Sequence, residues 1–159
     1  MQRSTLNSQR STLRSADAAQ FESRPEYDLE ERLLKYAAAI IRVVETLPNN
    51  RSGNHLAGQL LRSGTSPLPN HGESQAAESP EDFVHKMRVC LKELRESRRW
   101  LRLVNEVPLS SDLREVDRLI KETVELIKIF AASIRTCLRN SQIEPGSRSS
   151  STRDARRNV

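Results

Sequence analysis

Leu29, Leu33, Tyr36, Ala37, Ile40, Val44 and Leu47 recur at the intervals that stack side chains along one face of an α-helix. Asp28 stands before them as an N-cap with Glu31 three residues on, and Pro48-Asn49-Asn50 with Gly53 closes the run. Three further stretches keep the same period. Asn54 caps the second, where Leu56, Leu60, Ser63, Gly64 and Pro67 share a face of small residues that lets a neighbouring backbone approach. Ser66-Pro67-Leu68-Pro69 interrupts it, since each proline lacks an amide donor and clashes one turn back. A kink is predicted there, with helix resuming from Asn70 to Ala77. Ser79-Pro80-Glu81-Asp82 opens the third: a serine cap, proline at the first helical position and acids in the first turn. Phe83, Met87, Cys90, Leu94 and Leu101 line its apolar face, with Ser97 in the gap, and Asn105, Val107 and Pro108 end it. The fourth starts near Asp112, with Glu115 completing a capping box, and keeps its period from Leu113 to about Arg139. Four long amphipathic helices with short connections predict an all-α, antiparallel up-and-down four-helix bundle with a Pro-kinked second helix.

Composition agrees. Only 4% of the 159 residues are aromatic and five are glycine, too few for the alternating strands and frequent turns of a sandwich or barrel. Two cysteines, Cys90 and Cys137, exclude a disulfide scaffold, and no run approaches the ~18 apolar residues of a membrane span. The net charge of +5 allows an anionic partner without demanding one. Residues 1–26 and 141–159 hold eight of the 26 basic and five of the 21 acidic residues, so the middle of the chain is nearly balanced. Both ends are Ser/Arg-rich and poor in large apolar groups. They read as disordered tails flanking a bundle of residues 27–140, because burial cannot offset an ordering entropy of roughly 1–2 kcal/mol per residue. The first twenty residues have the composition of an organellar transit peptide, but they lack a sustained apolar face and read as a plain extension. No signal-peptide core is present, so the expected compartment is the cytoplasm, with both cysteines as thiols.

The stretch Gln59-Leu60-Leu61-Arg62-Ser63-Gly64-Thr65-Ser66-Pro67, continued by Asn70-His71-Gly72-Glu73-Ser74, resembles the signature of the "four helix bundle protein" family, first noted as products of intervening sequences in bacterial large-subunit ribosomal RNA genes. Glu78-Ser79-Pro80-Glu81-Asp82-Phe83, Leu91-Lys92-Glu93-Leu94-Arg95-Glu96 and Trp100-Leu101 resemble its third helix, and the likeness spans roughly residues 28–139. His71-Gly72 stand where the family commonly has an apolar pair, and the Ser/Arg tails are a second departure. The resemblance implies a four-helix protomer that assembles into a ring, commonly a pentamer, with no established enzymatic activity. It also implies distant kinship with the accessory variability proteins of diversity-generating retroelements, basic rings that bind nucleic acid and a reverse transcriptase.

Arg88, Lys92, Arg95, Arg99 and Arg102 fall within an arc of about 80° on the third helix, away from its apolar face. Five cations along about 21 Å suit repeated contacts to a phosphate backbone, RNA or DNA, and are the candidate nucleic-acid site. The alternative is a protein-interaction module whose basic stripe meets another subunit or an acidic protein. Leu34 and Ile41 lie off the main stripe of the first helix, and Trp100 off that of the third, so these three are the candidate oligomer interface. Asn70 and Glu73 read as structural: Asn70 satisfying carbonyls orphaned by Pro67 and Pro69, and Glu73 taking a hydrogen bond or a charge such as that of Arg62. His55, His71 and His85 share no metal-ligand spacing, and neither an activated nucleophile nor a phosphate loop is present. The reading is therefore non-enzymatic, with no metal and no cofactor.

Overall fold

The computed structural model describes residues 28–143. They form five helices and no strand: α1 (Leu29–Glu45), α2 (Arg51–Thr65), α3 (Pro67–Gln75), α4 (Pro80–Glu106) and α5 (Leu113–Ile143). The N-terminal tail and residues 144–159 lie outside the described residues; α5 itself runs four residues past the expected end near Arg139. Among the described residues no helix is long and apolar enough to cross a membrane.

The local signals act as their chemistry predicts. Asp28 accepts from the amides of Glu30 and Glu31 at 3.0 and 3.1 Å, Ser79 from Asp82 at 3.1 Å, and Asp112 from Glu115 at 3.1 Å. The return half of each capping box is missing. Glu31 turns to Lys35, and Glu115 makes a two-armed contact with Arg118 at 2.6 and 2.7 Å, which holds its carboxyl below the usual range. Charge pairing one turn along the helix has displaced the weaker backbone contact.

The start of α2 differs from the sequence expectation. Asn50, not Asn54, is the cap, accepting from Gly53 at 2.9 Å, while Asn54 reaches back to Asn49. Gly53 reads as a terminator but lies inside the first turn, where a Cβ would stand 1.9 Å from the Pro48 carbonyl oxygen. Its role is close approach to the preceding loop.

Pro67 divides the second period into α2 and α3. Ser66, between them, keeps helical dihedrals (φ −57°, ψ −36°), and its amide and carbonyl remain in the i to i−4 ladder at 3.3 Å each. α1 meets α2 where Gly64 sits under Ile40. Near the start of α1, Arg32 and Tyr36 meet Glu122 at 2.5 Å and Thr123 at 2.9 Å in α5, whereas Thr46, just past the end of α1, meets Ser110 at 2.7 Å, ahead of α5. Leu33, Ile40, Leu60, Met87, Leu94, Leu101, Leu119, Leu126 and Phe130 fill the core. Ser97 donates to Ser63 at 3.1 Å, filling the polar gap in the apolar face of α4. Burial pushes the Tyr36 hydroxyl up to about 12, so it stays a neutral hydrogen-bonding group.

Candidate nucleic-acid interface

α4 is the element that positions the cations. Met87, Cys90, Leu94, Leu101 and Val104 are buried, which fixes the rotation of the helix and turns Arg88, Lys92, Arg95, Arg99 and Arg102 outward. All five are exposed, and none makes an ion pair among the described residues. Four cations elsewhere have a carboxylate one turn away: Glu31 with Lys35, Glu115 with Arg118, Asp117 with Lys121 and Glu125 with Lys128. Such pairs each stabilise a helix by about 0.2–0.5 kcal/mol, and like charges at the same spacing cost as much. On α4 the neighbours are alike: Arg88 with Lys92, Lys92 with Arg95, Arg95 with Arg99 and Arg99 with Arg102. Glu96, which could answer Lys92 or Arg99, turns instead to Arg62 and to the Trp100 indole.

The stripe borders a groove. Arg88, Lys92, Arg95 and Arg99 form one wall, and Arg135 of α5 faces them across a floor of Leu91, Ala131 and Ile134. Arg95 and Arg99 also join Arg98 and Arg102 around a second, smaller concavity. Arg98 and Arg135 escape a reading of the sequence. Arg98 lies at the edge of the α4 arc, and Arg135 belongs to a helix whose register against α4 depends on the folded core. The groove can hold a chain of anions against its wall with apolar faces on its floor.

Of Arg62, Asn70 and Glu73, Glu73 does take a hydrogen bond and a charge, but from Lys86 and not from Arg62. Arg62 pairs with Glu96 and lies 3.6 Å from the buried Glu93, whereas Glu73 takes Lys86 at 2.6 Å. Lys86 is thereby held above its ordinary pKa, by its hydrogen bond with Glu73 and by that carboxylate's charge. Packing of α2 on α4 brings Arg62 to Glu93 and Glu96, while Glu73, about three turns beyond Arg62, meets Lys86. Asn70 donates to the Ser66 carbonyl at 2.8 Å and the Ser66 hydroxyl at 3.0 Å, bracing the junction itself and not a carbonyl freed by either proline.

Leu34 and Ile41 are 50% and 44% exposed, on the flank of α1 turned away from α5. Trp100 is half-buried: it packs on the core, meets His55 edge-on at 6.1 Å between centroids, and donates to Glu96 at 3.3 Å. Within the protomer its partners are His55 of α2 and Glu96 of its own helix. His71 is buried with its ring edge toward Phe130, and burial lowers its pKa. Among the described residues no group of three or more His, Cys, Asp or Glu could hold a metal ion. Burial pushes the Cys90 thiol up to about 12, far from the thiolate a nucleophile needs. A disulfide reagent at pH 8 is expected to leave Cys90 unmodified in the folded protein and to modify it after denaturation; rapid labelling before unfolding would contradict its burial.

Residues 26–132 match the protein family described as 23S rRNA-intervening sequence protein. The chain is also similar to the crystal structure of a protein with unknown function from the S23 ribosomal protein family from Bacteroides thetaiotaomicron. The two are 28% identical with a TM-score of 0.61, and the likeness covers 66% of this chain and 96% of that one. No curated protein matches.

Proposed function

Because this chain belongs to the 23S rRNA-intervening sequence protein family, we propose that it is a non-enzymatic, ring-forming bundle protein of the cytoplasm that binds nucleic acid as an accessory or scaffold factor. The protomer is an antiparallel four-helix bundle bent at Pro67 and Pro69; Tyr36 of α1 meets Thr123 within α5 while Thr46, past the end of α1, meets Ser110 ahead of α5, which supports that arrangement. The observation that carries the binding reading is the row Arg88, Lys92, Arg95, Arg99 and Arg102, exposed and without a carboxylate partner among the described residues. Like charges held one turn apart raise the free energy of the isolated helix, and a polyanion laid along them removes that cost. Binding is then set by phosphate contacts and is largely independent of sequence.

Titration of the protein with RNA and DNA oligonucleotides across a salt series tests this. Log affinity is expected to fall linearly with log salt, with a slope of about −0.7 per phosphate contact for a single strand and about −0.9 for a duplex. Absence of binding at low salt would assign the stripe to contacts between proteins.

Ring assembly rests on Leu34, Ile41 and the 41% exposed Leu61, large apolar side chains that a second protomer would cover. Light scattering is expected to give a multiple of the 18.1 kDa chain mass, five-fold in a pentamer. A monomer mass stable across micromolar dilutions contradicts the ring.

A further inference from the structure

Within the basic surface, Arg95, Arg98, Arg99 and Arg102 form a unit of their own. They occupy positions i, i+3, i+4 and i+7 of α4, so each has at least two like-charged neighbours one turn away. The four side chains line a single concavity of about 250 Å³. No ion pair among the described residues relieves them, although Glu106 stands four residues beyond Arg102. Arg95 and Arg99 are shared with the longer groove, whose other cations are Arg88, Lys92 and Arg135. The two sites are therefore one continuous surface, with a spaced row at one end and a cluster at the other. Arg88 and Lys92 are about 6 Å apart along the helix axis, a spacing that offers single cations to successive phosphates. The cluster instead directs four guanidiniums, each able to donate two parallel hydrogen bonds, at one place. A phosphodiester brings only one negative charge there, whereas a terminal phosphate carries about −1.5 to −2 and three acceptor oxygens.

We infer that the Arg95, Arg98, Arg99 and Arg102 concavity is a subsite for the terminal phosphate of a nucleic-acid strand whose backbone lies along the adjoining α4–α5 groove. The inference rests on the nucleic-acid reading of the stripe and adds that the protein distinguishes a phosphorylated strand end from a hydroxyl end. In the adjoining groove, Leu91, Ala131 and Ile134 offer an apolar lining to the faces of unpaired nucleotides, so the strand laid there is single.

The test uses the full chain and one short RNA oligonucleotide sequence in three forms, with a 5′ phosphate, a 3′ phosphate or hydroxyls at both ends. Binding is followed by anisotropy of an internal label. One phosphorylated form is expected to bind about tenfold tighter than the hydroxyl form, and inorganic pyrophosphate to abolish that advantage. Arg98→Gln, in the concavity and not in the groove, is expected to erase the preference while weakening the hydroxyl form no more than Arg88→Gln does. Arg88→Gln, in the groove alone, is expected to weaken all three forms alike. Arg98 and Arg88 are both exposed, and circular dichroism of each variant is expected to match the parent. Equal binding of all three forms by the parent protein would overturn the end subsite while leaving the nucleic-acid reading intact. No binding of any form at low salt would overturn both.

Discussion

Gly64→Leu is expected to destabilise the bundle by about 1–3 kcal/mol or more, read as a fall of several degrees in the thermal midpoint. A Cβ at this position already stands 2.6 and 2.8 Å from the two γ-carbons of Ile40, before any further leucine atom is placed. Ile40 is fully buried in α1, and a β-branched side chain in a helix has essentially one χ1 rotamer, so it cannot swing aside. The strain must pass to the spacing of α1 and α2, which also carries the Leu60 contact with the core. Combining Gly64→Leu with Ile40→Ala is expected to recover part of the loss, since the clash and its partner are removed together. Gly58 and Gly72 are the controls: a Cβ at either meets nothing within 4 Å. Alanine at those two helical positions is expected to stabilise by up to about 1 kcal/mol through helix propensity alone. A midpoint unchanged by Gly64→Leu would mean that α2 does not pack on α1 through this face.

Replacing Arg95 and Arg99 together by glutamine is expected to have the largest effect on binding. Both line the groove and the smaller concavity, so their loss interrupts the surface at its centre. If each neutralises one phosphate, the salt slope becomes shallower by about two for every engaged protomer. In a ring the loss is repeated in every subunit and is amplified through effective concentration, so the apparent affinity falls by more than a single protomer would show. The fold is expected to be retained, because both side chains are exposed and unpaired among the described residues. An unchanged slope would transfer the phosphate contacts to cations elsewhere, including the eight arginines of the tails.

Most of the bundle's local detail was readable because its causes lie within a few residues of one another. Ser79 followed by proline and two acids is a complete helix start, and the structure uses each part in place. The outward arc of Arg88, Lys92, Arg95, Arg99 and Arg102 follows from 3.6 residues per turn once Met87, Cys90, Leu94 and Leu101 are assigned to the core. Gly53 shows the limit of such reading. A glycine after Pro-Asn-Asn signals a helix end, and only the fold of the loop over the first turn of α2 reveals a close contact with Pro48.

The sequence by itself determined most of the helical segments, though not that α3 takes in Pro67, Leu68 and Pro69 where a break was expected, together with most of their caps, the small-residue face at Gly64 and the row of cations on α4, since each depends on local periodicity and side-chain chemistry. Tertiary structure alone decided that Arg62 answers Glu93 and Glu96 and leaves Glu73 to Lys86, and that Trp100 packs against His55. It also decided that Arg135 faces the α4 stripe across Leu91 and Ile134. Those partners are tens of residues apart in the chain, and the mutual register of the helices is set by how the buried side chains interlock, a property of the whole core that no single helical period contains.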